Sequence, residues 1–164
     1  KRRDGAKCIV DIGGGWGGDA YAHLRENGVD AVSYMGIKDS VRRTHDGLLK
    51  FRNIRTEAYW KLREALNPDQ PGGSTICLPN DPTLLSDLTA PTYEVKRGGN
   101  GGGVIHLESK ENLVKRLGRS PDRGDAVVMS WFDGERQANV RGGYRARNAP
   151  PKVNLGHSNQ KRRR

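Results

Sequence analysis

The stretch CIVDIGGGWGG, residues 8–18, decides the fold that we expect for this chain. Residues 8–12 form a short apolar, β-branched run, which predicts a buried strand. Asp11 lies where this strand should end, and the glycines that follow permit positive φ angles and close backbone approach. Burying a carboxylate is costly unless it is hydrogen-bonded, ion-paired or bound to a metal ion. Asp11 is therefore either a structural turn residue or a candidate site residue.

A helix and a second strand follow the glycines. Residues 19–26 predict a helix with Asp19 as its N-cap, and Asn27 and Gly28 are typical of its end. Residues 29–35 alternate between apolar and polar side chains, which predicts a strand. Because a helix connects the two strands, we expect them to be parallel. The pattern favours an α/β domain with a partly parallel sheet.

The rest of the chain predicts four more helices and three more strands. We expect helices at residues 53–66, 82–88 and 110–117 and from residue 121 onward, and strands at residues 75–78, 92–96 and 104–108. Asp81, Ser109 and Ser120 are the expected N-caps of the last three helices. The last two strands should form a hairpin, because only a glycine-rich segment joins them. Residues 36–52 are basic and show no period, so we interpret them as a mobile loop.

Positive charge is concentrated at the C-terminal end. The 164 residues carry a net charge of +10, of which residues 134–164 contribute +8, from nine Lys and Arg against Glu135. A basic segment without hydrophobic periodicity is typical of a disordered tail that attracts polyanions. We therefore divide the chain into a domain at 1–133 and a tail at 134–164. No apolar run approaches the length of a transmembrane helix, so we expect no membrane partner.

Two cysteines and a tryptophan also lead to expectations. Cys8 and Cys77 lie in apolar runs and should be small buried side chains. The absence of a CxxC pattern favours a reducing compartment and gives no indication of zinc. Trp16, among the glycines, is expected to pack on the sheet.

A second acidic group lies at the start of the last helix. Asp122 and Asp125 are three residues apart and so lie on one helix face. Gly124 between them lowers helix propensity, which indicates that another group approaches the backbone there. Acids in a first turn also complement the helix dipole, so a structural role stays open. Together with Asp11, these carboxylates are the kind of ligand that Mg²⁺ or Mn²⁺ prefers, and two such ions can promote phosphodiester cleavage.

The segment SKENLVKRLGRSPDRGDA, residues 109–126, closely resembles a signature of viral terminase large subunits. Val10, Asp11 and the glycines resemble the second acidic motif of that family, and the resemblance covers roughly residues 7–132. It implies a ribonuclease H-like fold, a mixed sheet flanked by helices. It also implies an endonuclease domain that cuts concatemeric double-stranded viral DNA with Mg²⁺ or Mn²⁺.

The resemblance also assigns roles to the acids. Asp11 corresponds to the second metal-binding acid of the family, Asp125 to the third, and Asp122 to an auxiliary group beside Asp125. The first acid of the family lies on an upstream strand that this sequence lacks. We therefore expect a piece of a longer protein without the first strands of its sheet, a poor nuclease by itself and prone to dimerise. The sequence also lacks the GxxxxGK[ST] loop of the packaging ATPase.

The implied partners are double-stranded DNA, the terminase small subunit, and the portal or capsid. The implied location is the host cytoplasm during viral assembly. Because packaging needs little base recognition, we expect sequence-independent phosphate contacts from the basic loop and the hairpin. The candidate DNA-binding residues are Arg42, Arg43, Lys50, Lys96 and Arg97.

Two other functions stay open. The spacing of Gly13, Gly15 and Gly18 after a strand matches a Rossmann-like dinucleotide-binding module. However, residues 34–36 lack the acid expected after the second strand, and Asp11 would repel a pyrophosphate. A non-catalytic DNA-binding domain would explain the basic loop and tail but not the acidic positions.

Overall fold

The computed structural model describes residues 7–70, 72–74, 76–99 and 101–141, with the backbone alone for residues 133–141. Within these residues, the strands are β1 (Cys8–Asp11), β2 (Ala31–Tyr34), β3 (Leu49–Phe51), β4 (Tyr93–Arg97) and β5 (Gly103–Leu107). The helices are α1 (Gly18–Glu26), α2 (Ile54–Leu66), α3 (Pro82–Thr89), α4 (Lys110–Leu117) and α5 (Asp122–Arg141), with a 3-10 turn at Gly13–Gly15. This is an α/β fold with parallel and antiparallel pairing.

The first sheet confirms the predicted β-α-β unit. β1 and β2 are parallel, with Asp11 opposite Tyr34, and α1 connects them. The α1 helix begins earlier than expected, with Gly17 as its N-cap and no side-chain cap. The backbone N–H of Tyr21 donates to the carbonyl of Gly17 at 3.0 Å, which closes the first turn around Asp19. The prediction of Asp19 as N-cap is therefore wrong.

The second sheet has the order β3-β5-β4. The hairpin of β4 and β5 is antiparallel, as predicted, and β3 is parallel to β5. β3 lies inside the segment 36–52, so the interpretation of that segment as a loop is wrong. Three residues are too few to show an alternating pattern, and the partner of β3 lies about fifty residues further along the chain.

The segment before β3 is tied to the start of α2. The N–H of Ile54 donates to the carbonyl of Lys38 at 2.8 Å, and the N–H of Arg55 donates to the carbonyl of Gly36 at 2.9 Å. The buried Thr44 hydroxyl accepts a hydrogen bond from the N–H of Leu49 at 3.1 Å. These bonds give residues 36–48 defined partners on both neighbouring elements.

The strand predicted at residues 75–78 is not observed over Ile76, Cys77 and Leu78, and Thr75 lies outside the described residues. The hydroxyl of Ser74 donates to the carbonyl of Ile76 at 2.8 Å, and Ile76 packs against the hydrophobic core. This short apolar run is thus accommodated without a partner strand. Cys77 is exposed and Cys8 is half-buried, so the expectation that both are buried is wrong.

The hydrophobic core lies where α2, α5 and β2 meet. Ala58 and Leu62 of α2 pack with Val128 and Phe132 of α5. The ring of Phe132 meets that of Tyr34 edge to face, with centroids 6.0 Å apart. The last helix therefore reaches the sheet as predicted, and it also packs against α2 and α3.

The domain boundary predicted after residue 133 falls inside α5, whose backbone is helical to Arg141. Residues 142–164 of the predicted tail lie outside the described residues. In the described part of the chain, no helix has the length and apolar character needed to span a membrane.

Candidate functional site

Asp11 lies at the carboxyl end of β1, with its side chain exposed. One of its carboxylate oxygens, Oδ1, accepts a hydrogen bond from the N–H of Gly13 at 2.8 Å. A Cβ atom on Gly17 would lie 1.9 Å from the carbonyl oxygen of Asp11, so this approach requires glycine. The glycine loop is therefore folded back onto Asp11 and leaves the carboxylate facing solvent.

Trp16 projects from this loop. Its exposed fraction is 93%, so the expectation that it packs on the sheet is wrong. Gly14 and Gly15 have φ angles of 75° and 87°, in the left-handed region that other residues rarely adopt. The indole of Trp16 therefore lies in solvent, next to two glycines in the left-handed conformation.

Asp125, in the first turn of α5, has both carboxylate oxygens engaged. The Tyr59 hydroxyl donates to Oδ1 at 2.7 Å, and the Lys110 ammonium donates to Oδ2 at 2.8 Å. Burial, followed by the negative charge of Asp125, raises the pKa of Tyr59. The phenol therefore stays protonated and acts as a hydrogen-bond donor. Helices α2 and α4 together fix the position of this carboxylate.

Asp122 has a different environment from Asp125. Its side chain is exposed and accepts a hydrogen bond from the hydroxyl of Ser120 at 2.5 Å. The helix begins at Asp122, and the Ser120 hydroxyl thus contacts a side chain and not the backbone N–H expected of an N-cap. Ser120 therefore does not cap α5 as predicted, and its hydroxyl holds the carboxylate of Asp122 instead.

A series of direct contacts connects the carboxyl end of β2 with Asp125. Gly36, just after β2, accepts a backbone hydrogen bond from Arg55. A Cβ on Gly36 would lie 3.2 Å from the Cβ of Arg55, so the two segments approach closely. The Arg55 guanidinium lies over the ring of Tyr59, 5.2 Å from its centroid, and Tyr59 donates to Asp125. The end of the first sheet and the start of α5 therefore both contact helix α2.

We call the residues of this region the carboxyl-end cluster. It comprises Gly36, Arg55, Tyr59, Lys110 and Asp125. Asp11 ends the neighbouring strand β1, opposite Tyr34, and its carboxylate bonds to Gly13. Sequence reasoning assigned no site role to Arg55, Tyr59 or Lys110. The available signal was the spacing of Arg55 and Tyr59, which are four residues apart and so share one face of α2.

Arg55 is unusual within the cluster. Its Nη1 donates to the carbonyl of Glu108 at 2.7 Å. Its Nε and Nη2 are buried and have no hydrogen-bond partner among the described residues. Buried N–H groups without a partner carry a free-energy cost. The contact with Tyr59 and the bond to Glu108 keep the guanidinium in place despite this cost.

Another group approaches the backbone at Gly124, as predicted from its low helix propensity, and that group is a buried acid. The side chain of Asp87, in α3, is fully buried and accepts a hydrogen bond from the N–H of Gly124 at 3.1 Å. A Cβ on Gly124 would lie 2.7 Å from the Cβ of Asp87. Arg119 forms an ion pair with the other carboxylate oxygen of Asp87 at 2.5 Å. The signature residues Arg119 and Gly124 thus anchor α5 on α3.

The described residues do not by themselves form a metal centre. Among them, no three His, Cys, Asp or Glu side chains lie together in a group that could hold a metal ion. The oxygens of Asp125 are bonded to Tyr59 and Lys110, and Mg²⁺ or Mn²⁺ needs several oxygen ligands. The described side chains alone therefore do not complete a metal centre, and the ion stays a prediction.

Three of the five predicted DNA-binding residues lie in one row. Arg43 lies opposite Lys50, Lys50 opposite Val104, and Val104 opposite Lys96. Residues that are opposite one another in neighbouring strands point to the same face of a sheet. We call Arg43, Lys50 and Lys96 the basic row.

The other two predicted DNA-binding residues lie apart from this row. The Nε of Arg42 is 3.6 Å from a carboxylate oxygen of Glu57, which is fully buried in α2. Arg97 is the residue after Lys96 on β4, so it faces the other side of the sheet.

Comparison of the chain with family models, with curated proteins and with solved structures found no match.

Proposed function

We propose that this chain belongs to the nuclease domain of a DNA-packaging terminase large subunit, with a ribonuclease H-like arrangement of its α/β elements. In this proposal it cuts concatemeric double-stranded DNA by hydrolysis of a phosphodiester bond, with Mg²⁺ or Mn²⁺ as cofactor. The supporting observation is the carboxyl-end cluster. In it, the signature residues Lys110 and Asp125 contact each other next to helix α2, which also contacts the end of the first sheet.

The local structure of the signature supports this assignment. Ser109 caps α4 by accepting a hydrogen bond from the N–H of Asn112 at 3.2 Å. Gly118 ends α4 with a φ angle of 70°, where glycine is favoured. These two residues set the ends of the helix that carries Lys110. Residues of the signature thus define the helix that brings Lys110 to Asp125, and this supports the assignment.

Charge also supports a nucleic acid substrate. A phosphodiester is repelled by the carboxylates of Asp11 and Asp125 unless cations lie nearby. Lys110 places one ammonium group at Asp125. The basic row offers further cations on a neighbouring sheet, and Arg55 adds a guanidinium to the carboxyl-end cluster.

The dinucleotide alternative is disfavoured by the glycine loop. A pyrophosphate bound there needs free backbone N–H groups. The N–H of Gly13 already donates to the carboxylate of Asp11, and that negative charge stands where the phosphates would lie. A non-catalytic DNA-binding domain shares the basic row with our proposal and differs from it in the role of the acids.

The test is cleavage of supercoiled plasmid with Mn²⁺ by the longest natural polypeptide that contains this sequence. Asp11→Ala and Asp125→Ala should each abolish nicking, because each removes a carboxylate assigned to the reaction. Asp122→Ala should reduce nicking less, because Asp122 is auxiliary.

The matched control is Asp69→Ala, which removes an exposed acid from the turn after α2. It should leave the nicking rate unchanged. Circular dichroism would show that each variant keeps its fold. Full nicking by folded Asp11→Ala or Asp125→Ala protein would refute the endonuclease assignment and favour the non-catalytic alternative.

A further inference from the structure

The three-stranded sheet has one face that packs an apolar centre against α2 and one basic face. On the apolar face, Phe51 and Ile105 are opposite each other and buried against α2. On the other face lie Lys50 and Lys96, both exposed, on either side of Val104. Because side chains alternate along a strand, these cations could face α2 only if the strand pairing shifted by one residue, which would expose Phe51 and Ile105. The basic row is therefore fixed by the same pairing that buries the core.

One further cation and one histidine border the row. Arg52 follows β3, and His106 is on β5 two residues beyond Val104 and therefore on the same face. Burial lowers the pKa of His106 most, the charges of Lys96 and Arg52 lower it further, and the charge of Glu94 opposes them. The imidazole thus lies in the positive field of this face.

Two acids partly offset this charge. Glu94 pairs with Lys96 at 2.7 Å, and Asp39 pairs with Arg52 at 2.7 Å. Both pairs are exposed to solvent, where ion pairs are weak and readily exchanged. Lys50 and Arg43 add positive charge beyond these pairs, so the face keeps a net positive charge.

The length of the row fits a DNA duplex. Neighbouring strands lie about 4.8 Å apart, so four adjacent segments span about 14 Å. The major groove is about 12 Å wide. The two ends of the row are therefore spaced to contact phosphates on both sides of one groove, and lysine and arginine contacts of this kind do not depend on base sequence.

We infer that the basic face of the β3-β5-β4 sheet binds the phosphate backbone of duplex DNA, as a contact surface separate from the carboxyl-end cluster. The choice of DNA rests on the proposed function. The surface itself rests on the register of Arg43, Lys50 and Lys96.

The test measures binding of a short labelled DNA duplex to the full chain by fluorescence anisotropy, in EDTA so that cleavage does not interfere. Lys50→Gln/Lys96→Gln removes two charges from the row. The control Arg25→Gln/Lys115→Gln removes two exposed charges from helices α1 and α4. Both variants have the same net charge, so a general effect of charge would lower their affinities for DNA equally.

We expect the row variant to bind at least about tenfold more weakly at low salt, with the slope of log affinity against log salt reduced by about 1.8. The control should stay within about twofold of the original chain, because its lost charges lie outside the row. DNA should also shift the imidazole NMR signals of His106, and the row variant should show a smaller shift at the same DNA concentration.

Equal loss of affinity in the two double variants, or an unshifted His106 with DNA bound, would overturn the inference. Either result leaves the proposed endonuclease untouched, because its test is nicking by the acid variants. Failure of the original chain to bind DNA at all would overturn the inference as well. Loss of nicking in Asp125→Ala would then still support the endonuclease, so the two failures can be told apart.

Discussion

The carboxylate of Asp125 accepts hydrogen bonds from Tyr59 and Lys110, which lie on different helices. Tyr59 is the uncharged donor, so its removal tests the hydrogen bond without a change of charge. Tyr59→Phe keeps the ring that packs in the core and lies under Arg55, and it removes only the hydroxyl. We expect the free energy of unfolding to fall by about 1–2 kcal/mol, because Asp125 loses a hydrogen bond in a half-buried position. Urea denaturation at neutral pH measures this change.

The ionisation of Tyr59 should be visible at alkaline pH. Burial and Asp125 raise the pKa of Tyr59 above its usual value of 10.0. Because the pKa of Tyr59 is higher in the folded state than in the unfolded state, protonated Tyr59 contributes to the free energy of unfolding. This contribution is complete below pH 10.0 and is lost as the pH rises above it. Tyrosinate absorbance should therefore show a late ionisation step that is lost in Tyr59→Phe. The control Tyr93→Phe, at an exposed tyrosine, should keep the late step, and its loss there would contradict the assignment.

At the scale of elements, the packing of α5 on α3 depends on a glycine inside a helix. Gly124→Ala would place a methyl group 2.7 Å from the Cβ of Asp87 and 3.3 Å from its carbonyl carbon. Alanine favours a helix by about 1 kcal/mol over glycine, but overpacking costs about 1–3 kcal/mol. Because the contact at 3.3 Å involves backbone, α3 or α5 must move, and we expect net destabilisation.

Thermal unfolding of Gly124→Ala beside Gly18→Ala measures this effect. A Cβ on Gly18, at the start of α1, would meet no atom within 4 Å, so alanine there should be neutral or stabilising. A Gly124→Ala protein at least as stable as the original chain would show that α3 and α5 do not pack as closely as described.

The elements that sequence predicted correctly are those with local signals. Asp81 accepts hydrogen bonds from the N–H groups of Thr83 and Leu84, as a predicted N-cap should, and Ser109 caps α4. The strand β3 was missed because its three residues gain their structure from pairing with β5. Residues 76–78 were overpredicted because an apolar run can pack against helices without pairing.

For the candidate site, the sequence likewise predicts the positions of single residues but not their contacts. The position of Asp11 at the end of β1 and of Asp125 in the first turn of α5 follows from local pattern. The contact of Tyr59 with Asp125 joins residues 66 apart in the chain, so no local pattern could indicate it. The basic row likewise depends on the register of Arg43 with Lys50, which only the folded sheet defines.

At the scale of the whole molecule, the candidate site acids and the basic row lie on separate surfaces. The acids lie at the carboxyl end of the first sheet and the start of α5. The basic row lies on the outer face of the second sheet. Helix α2 packs against β3, β5 and α5, and its Arg55 bonds to Gly36 after β2. This helix therefore fixes the relation between the two surfaces.

The proposed function requires that Asp11 and Asp125 serve one cation site, and paramagnetic broadening of backbone amide NMR signals by Mn²⁺ tests this most directly. In this chain, the amides of Gly13 and Asp125 should broaden together at the lowest Mn²⁺ concentration that has any effect. Binding in the millimolar range is expected for so few oxygen ligands. Asp125→Asn, which keeps the shape of the side chain, should reduce both effects. Broadening that begins elsewhere, or that persists at Gly13 in Asp125→Asn, would contradict the claim.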